Sequence, residues 1–454
     1  MSEPHHRHLR VAVVGSGPSG AYCVEALLES LPGMSISVDV IERLPVPFGL
    51  VRYGVAPDHE RIKSIIDSFG EILSHERVRF LGNVAYGSDI TMLDLRRYYD
   101  VAIFACGANS TRRLGIPGEN LPGVFAAADF VSWYNGHPNA TIERFALTAK
   151  QATVIGNGNV ALDVARMLVN PRETLLQTDV PQHVLDLLVK SPIEDVHIVG
   201  RRGPLQAKFT TKEIVELGRL DDVDVIVDPC VLRVTESELK QAAPPTARMV
   251  AALRTLGSLP RGRARRIHFT FFRRPVAVFG HPGAESVVLE ATEGDNDHGK
   301  TERARREVIE AGLVLTSVGY RAEPLPELPF DAVTATVPHT NGQVFDGDDT
   351  RPAVYVAGWL KRGPTGVIGT NRRDSLETVK ALLSNARGFP RALERDPGAV
   401  VSLLRERGVE VVPWDGWNAI DGAEVARGAR LGRARVKIHR LEELLQASSR
   451  CPPE

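Results

Sequence analysis

Cysteine is scarce in this chain: Cys23, Cys106, Cys230 and Cys451 are the four in 454 residues, and no two are near neighbours. Their spacing excludes a local CxxC redox pair, a four-cysteine cradle for an iron–sulfur cluster and a zinc ribbon. Long apolar runs are missing too, none approaching the roughly 18–20 residues that cross a bilayer. The polar, His-rich start, Met1 to Arg10, leads into an apolar stretch soon interrupted by glycine, too short for a signal peptide, so a cytoplasmic location is expected. No single sign of charge dominates. The formal net charge of −1 gives no global field towards nucleic acid or a membrane. No Ser–His–Asp set, glycosidase-type carboxylate pair or metal-ligand cluster is apparent, so no metal is expected and the chemistry falls to a bound cofactor. No repeat of solenoid period appears. With 43% apolar and 24% charged residues, the composition is that of a globular protein long enough for two or three domains.

What is present is a pair of glycine-rich loops. The apolar run Leu9 to Val14 reads as a buried parallel strand. It enters Gly15-Ser16-Gly17-Pro18-Ser19-Gly20, and a helix is expected over Ala21 to Ser30. A second strand, Ser35 to Ile41, is closed by Glu42, 22 residues beyond Gly20. Each residue type answers a mechanical need. Gly15 permits the tight turn, Gly17 lets backbone approach a pyrophosphate, and Gly20 lets the helix pack close to the strand. The helix N-terminus offers N–H groups to phosphate, and Glu42 would accept from the ribose hydroxyls of an adenosine. This first loop is expected to hold FAD.

A second strand–loop–helix begins at Ala152 to Ile155 and continues into Gly156-Asn157-Gly158-Asn159-Val160-Ala161. Alanine takes the third glycine position, as the pattern permits. Another helix is expected within Pro171 to Pro192. The next strand, Val196 to Val199, ends not in an acid but in Gly200-Arg201-Arg202. A carboxylate would repel a 2′-phosphate, whereas paired guanidinium groups bind it by charge-assisted hydrogen bonds, so this loop selects NADP(H) over NAD(H).

These residues, with several longer runs, resemble the adrenodoxin reductases and their bacterial FprA-type NADPH–ferredoxin reductase relatives. The resemblance spans about Val11 to Asn385. It is carried by Pro47-Phe48-Gly49-Leu50-Val51-Arg52, Gly54-Val55-Ala56-Pro57-Asp58-His59, Ile116-Pro117-Gly118-Glu119 and Trp133-Tyr134-Asn135. Further matches are Gly158 to Arg166, Val199 to Gln206, Phe209 to Glu213 and Gly358 to Thr370. The resemblance implies an α/β fold of two dinucleotide-binding, Rossmann-like domains, the NADP domain inserted into the FAD domain. The boundaries expected are 1–107 and 320–454 for the FAD domain and 108–319 for the NADP domain. Tyr99 to Ala108 would be a return strand and Leu313 to Tyr320 the second crossing. By the same resemblance Ser19, Glu42, Leu50, Val84, Trp359 and Gly366, Val367 and Ile368 would contact FAD. Asn157, Gly158, Asn159, Val160, Arg112, Arg201, Arg202, Glu213 and Gly366 would hold NADP. His59, Glu213 and Asp163 would orient the nicotinamide carboxamide and handle the flavin proton. Residues 389–454 would pack back on the FAD domain.

A reduced flavin can release two electrons one at a time, which couples NADPH to a one-electron carrier. The chain lacks the cysteines for an iron–sulfur cluster, so the cluster is expected on a partner. From Lys240 to Arg274 there are nine basic residues and no acid, and this run is read as a docking surface for an acidic ferredoxin through Arg254, Arg261, Arg263, Arg265 and Arg266. Lys361, Arg362, Arg372 and Arg373 are expected to add to the field. A cytochrome P450 is an expected downstream acceptor, and nothing demands more than a monomer. Two other readings stay open: an NADPH-dependent flavin monooxygenase or oxidase, which would need a substrate cavity over the flavin, and a non-catalytic NADP/FAD-binding redox sensor. Nucleic-acid binding is disfavoured, since no recognised fold or aromatic interleaving accompanies the basic run.

Overall fold

The computed structural model describes residues 8–30, 35–140, 145–292, 306–344 and 353–449; Cys451 and most of the His-rich start lie outside them. The chain forms two units, one of residues 1–55, 59–110 and 320–454, the other of 56–58 and 111–319. Two-residue strands, β5 (Ser110–Thr111) and β15 (Tyr320–Arg321), mark where the chain passes between them. The sequence puts the first of these passages three residues earlier and does not foresee the separate assignment of 56–58.

The first unit is built on β1 (Leu9–Val14), β2 (Ile36–Glu42), β3 (Val78–Gly82), β4 (Val101–Phe104) and β16 (Ala353–Val356). They form one parallel sheet in the order β16-β4-β1-β2-β3. All six residues of β1 are buried because helices and loops cover both faces. Leu9, Val11 and Val13 join a core with Ala21, Val24 and Leu27 of the Pro18–Ser30 helix, while Ala12 and Val14 join a second core with Leu95 and Phe104. The C-terminal residues complete the first of these cores through Val412, Trp417, Ile438 and Leu444.

The second unit holds β6 (Val124–Ala126), β7 (Gln151–Ile155), β8 (Asp195–Val199), β9 (Val223–Val227), β10 (Arg265–Thr270) and β14 (Leu313–Thr316). Their parallel sheet runs β6-β14-β7-β8-β10-β9. One face packs on helices. The other is covered by an antiparallel sheet of β11 (Arg273–Phe279), β12 (Ser286–Ala291) and β13 (Arg306–Glu310), whose Val278, Val287 and Leu289 meet Ile155, Val199 and Val314. The single helix expected within Pro171 to Pro192 is two, Arg172–Leu176 and Gln182–Lys190. Pro181 separates them, since it lacks the N–H a continuous helix would use there. Among the described residues no helix is long and apolar enough to cross a membrane.

On β8 and β10 the rings of His197 and His268 stack at 4.4 Å. His268 Nε2 lies 2.6 Å from Asp195 Oδ1, and Arg266 makes two bonds to the same carboxylate at 2.6 and 2.5 Å. Burial, helped by the neighbouring His268, depresses His197 to about 4 from 6.5. Below pH 6.5 the unfolded chain takes up a proton that native His197 refuses, so stability should fall as pH drops from 6.5 towards 4. Asp195, held at about 2 chiefly by Arg266, adds its loss only at lower pH. Chemical denaturation across this range should show a shallower decline for His197→Gln than for the parent; equal slopes would contradict the assignment.

Candidate nucleotide-binding sites

In each unit the glycine loop sits where the strand order reverses, the position at which open α/β sheets bind ligands. In the first unit β1 is flanked by β2 and β4. Gly15 has φ 107°, and a Cβ there would lie 2.6 Å from the Ala105 carbonyl oxygen, just past β4. A Cβ on Gly20 would lie 1.9 Å from the Gly15 oxygen, so the helix can approach the loop only without a side chain. A Cβ on Gly17 would meet nothing nearer than Gly49 Cα, at 3.8 Å, which leaves the backbone there open to a ligand. The Pro18–Ser30 helix then starts on a proline, which wastes no N–H.

Glu42 is buried, and its carboxylate also shapes the loop. One oxygen accepts from the Ser16 N–H (3.0 Å) and hydroxyl (2.6 Å), the other from the Leu44 N–H (3.2 Å). Val84 donates its N–H to the Glu42 carbonyl, and its side chain is fully buried. Leu50 opens the short Leu50–Tyr53 helix and is half-buried.

A second helix N-terminus comes to the same end of this unit. The Ile368–Asn385 helix follows Gly366, at φ 84°, and exposed Val367. The Ser19 hydroxyl donates to Asn371 Oδ1 (2.9 Å), and the Ser375 hydroxyl donates to the Ser19 carbonyl (3.0 Å). Gly358, at φ 72°, passes so close that a Cβ would lie 2.0 Å from Ser19 Oγ. Trp359 is half-buried against Tyr320, their rings 5.4 Å apart. Asn371 and Ser375 thus join the two helices, and Asp374 accepts from the Gly358 N–H at 2.6 Å; sequence reasoning missed all three. Lys361 and Arg362 do not feed an outward field. Lys361 is buried against Asp374 (3.2 Å) and Glu377 (3.1 Å), and Arg362 pairs with Asp374 (3.1 Å) and donates to Asn371. Arg372 pairs with Glu25 at 3.1 Å, which leaves Arg373. His59 lies in this unit, 6% exposed, just ahead of the Glu60–Lys63 helix.

The second unit repeats the first loop's geometry. β7 is flanked by β8 and β14. Gly156 has φ 151°, and a Cβ there would lie 2.1 Å from the Ser317 carbonyl, just past β14. A Cβ on Gly158 would find nothing within 4 Å, and this glycine precedes the Asn159–Val169 helix with no side-chain cap. Asn157 Nδ2 is buried with no hydrogen-bond partner. Asn159 Oδ1 accepts from the Thr210 N–H at 2.9 Å, and Val160 packs against the core. A donor without an acceptor beside open backbone fits an oxygen-rich ligand. Arg201 and Arg202 follow β8, which pairs with β7 so that Val199 opposes Ile155. Both side chains are exposed, and among the described residues neither pairs with a carboxylate. Arg112 is exposed also, its N–H donating to the Gly319 carbonyl.

Asp163 and Glu213 meet on one buried cation. Arg166 is 4% exposed; it bonds Asp58 (2.5 and 3.0 Å) and Asp163 (2.8 Å), with Glu213 3.5 Å away. Asn170 Nδ2 also donates to Asp58, at 2.9 Å. The three carboxylates hold the guanidinium firmly charged against the cost of burial.

The basic run from Lys240 to Arg274 is less available than its charge suggests. Arg254 donates to the Val231 and Val234 carbonyls and Arg263 to those of Leu220 and Val223. Arg265 donates to the Val169 and Asn170 carbonyls (3.0 and 3.1 Å). Arg266, Arg273 and Arg274 are neutralised by Asp195, Glu307 and Glu290. Lys240, Arg248 and Arg261 remain exposed.

No family model matches the chain. It is 44% identical to NADPH-ferredoxin reductase FprA of Mycobacterium leprae, over 98% of this chain and 99% of that protein. It is 40% identical to the mitochondrial NADPH:adrenodoxin oxidoreductase of Salvelinus fontinalis, over 97% of this chain and 91% of that one. The solved structure of Mycobacterium tuberculosis FprA in complex with NADPH superposes with a TM-score of 0.90 at 41% identity, covering 97% of this chain and 100% of that one. Likeness of this extent over both units shows that the chain belongs to the adrenodoxin reductase and FprA-type family of NADPH-dependent flavin oxidoreductases.

Proposed function

We propose that the first unit holds FAD, that the second binds NADPH, and that the enzyme passes a hydride from NADPH to the flavin and then single electrons to an acidic iron–sulfur ferredoxin. The observation that carries it is the pair Arg201 and Arg202: two exposed guanidinium groups without carboxylate partners, beside a glycine loop with open backbone and an orphaned Asn157 amide. Such a pair favours a phosphorylated ribose over a plain one.

In the first unit Gly17 and the N-terminus of the Pro18–Ser30 helix face the pyrophosphate and Glu42 the ribose. Trp359 and Gly366 to Ile368 face the flavin, where backbone N–H groups at a helix start favour negative charge. FAD supplies the conversion between a two-electron donor and a one-electron acceptor. The acid–base roles implied by the resemblance, orientation of the carboxamide and handling of the flavin proton, stay with His59, Glu213 and Asp163 in this proposal. Arg166 fixes two of them. Ferredoxin docking is assigned to the exposed basic side chains Lys240, Arg248 and Arg261, with Arg263 and Arg265 held by backbone carbonyls and Arg254 shared between carbonyls and Glu236 at 3.9 Å. The enzyme works as a cytoplasmic monomer in this reading, with a cytochrome P450 as one downstream acceptor.

The test is NADPH-driven cytochrome c reduction with and without an added acidic ferredoxin. The proposal expects a rate that depends on ferredoxin and falls steeply with added salt. Rapid peroxide formation indifferent to ferredoxin would instead make the enzyme an oxidase.

A further inference from the structure

The FAD-facing loop is flanked by a segment that a distant part of the chain holds in place. Phe48 and Gly49 sit at φ 80° and 49°, and the Phe48 N–H donates to the Ser16 carbonyl at 3.3 Å. A Cβ on Gly49 would lie 3.0 Å from Gly17 Cα, so Phe48 and Gly49 pack directly against Ser16 and one side of Gly17 in the glycine loop. A phenylalanine at positive φ is unfavourable by itself and persists only where its surroundings over-determine it.

Those surroundings come from the Trp414–Arg430 helix and the turn after it. Trp417 meets the Phe48 ring edge-on at 5.6 Å, and Trp414 does so at 6.4 Å. Further along the segment Arg52 is buried, with its guanidinium over the rings of Tyr53 (5.1 Å) and Trp417 (5.2 Å). Its counter-charge is Glu424, fully buried at 2.5 Å. The same carboxylate accepts from the Ile438 N–H (2.8 Å) and from Arg435 (3.1 Å), and Lys437 donates to the Arg52 carbonyl (2.9 Å). Every one of these groups is in the first unit. A carboxylate buried this deeply is costly unless paired, so its location is constrained by Arg52 and Arg435 together.

We propose that Glu424 is a positioning residue for the flavin site: through Arg52 it clamps Phe48-Gly49-Leu50 against the Gly15–Gly20 loop, and the C-terminal segment thereby retains FAD. This rests on the assignment of FAD to the first unit. Glu424 touches no cofactor itself. It acts by making the segment against the loop rigid before the cofactor arrives, which lowers the ordering cost of binding.

The experiment strips FAD from the full-length protein, titrates it back by fluorescence quenching, and follows its release on dilution. Failure of the parent protein to bind FAD would defeat the underlying assignment rather than the clamp. With the parent binding, Glu424→Gln should raise the FAD dissociation constant at least tenfold and speed release by a similar factor. It should also shrink the gap in melting temperature between apoprotein and holoprotein. Arg395→Met is the control: it breaks the Arg395–Asp100 pair (3.0 Å) of the same unit, away from the segment, and should leave FAD affinity within twofold. An unchanged dissociation constant in Glu424→Gln, or an equal loss in Arg395→Met, overturns the proposal. Should Glu424→Gln not fold, Lys437→Met decides, since it removes one hydrogen bond to the Arg52 carbonyl: a threefold weaker FAD affinity is expected, and no change overturns the clamp.

Discussion

Replacing Arg201 and Arg202 together by alanine is expected to raise the KM for NADPH by roughly one to two orders of magnitude, from the ~1.5–3 kcal/mol of a hydrogen bond to a charged group. The KM for NADH should stay within about twofold, because a plain ribose offers these guanidinium groups no charge to bind. The expectation follows from exposure without compensation. Neither arginine has a carboxylate partner among the described residues, so removing them leaves no buried acid behind and should not weaken the fold. Steady-state kinetics with both nucleotides checks it, and equal effects on the two would contradict the role given to the pair.

The second large effect is on stability. Arg166→Met should destabilise the second unit by about 3–5 kcal/mol, the range found when one partner of a buried ion pair is removed. Asp58, Asp163 and Glu213 would then face one another with no cation between them. For a unit of this size that corresponds to a melting transition lower by on the order of 10 °C. A melting temperature within a degree or so of the parent would show that the three carboxylates are not held by Arg166. Asp163→Asn, which leaves Asp58 and Glu213 on the cation, should cost far less.

The parts of the site that sequence reveals are those built within a short stretch of chain. Strand, glycine turn and helix follow one another from Leu9 to Ser30 and from Gln151 to Val169, and the turn chemistry is local. Glu42 and the Arg201–Arg202 pair are legible because each ends the next strand of the unit. What sequence hides depends on pairing across long separations. Asp58 is 108 residues from Arg166, and Glu424 is 372 from Arg52. No periodicity links such positions; the sheet order brings them together. The basic run misleads for the same reason. Counting charges between Lys240 and Arg274 registers the arginines but not Asp195, Glu290, Glu307 or the carbonyls that engage them. Lys361 and Arg362 read as outward-facing from sequence, yet Asp374, on the following helix, turns both inward. The Glu42 carboxylate is a milder case: its place at the strand end is legible, but its grip on Ser16 is not.

The central claim is that one chain joins a resident flavin to an exchanging, phosphorylated nicotinamide. The most direct measurement is anaerobic addition of one equivalent of NADPH to the purified protein, followed by its absorbance spectrum. The account predicts that the visible flavin band bleaches while the nicotinamide's near-ultraviolet band is lost in equal amount, and that NADH at the same concentration does this far more slowly. A protein that carries no flavin, or a flavin band that NADPH leaves unchanged, would contradict it.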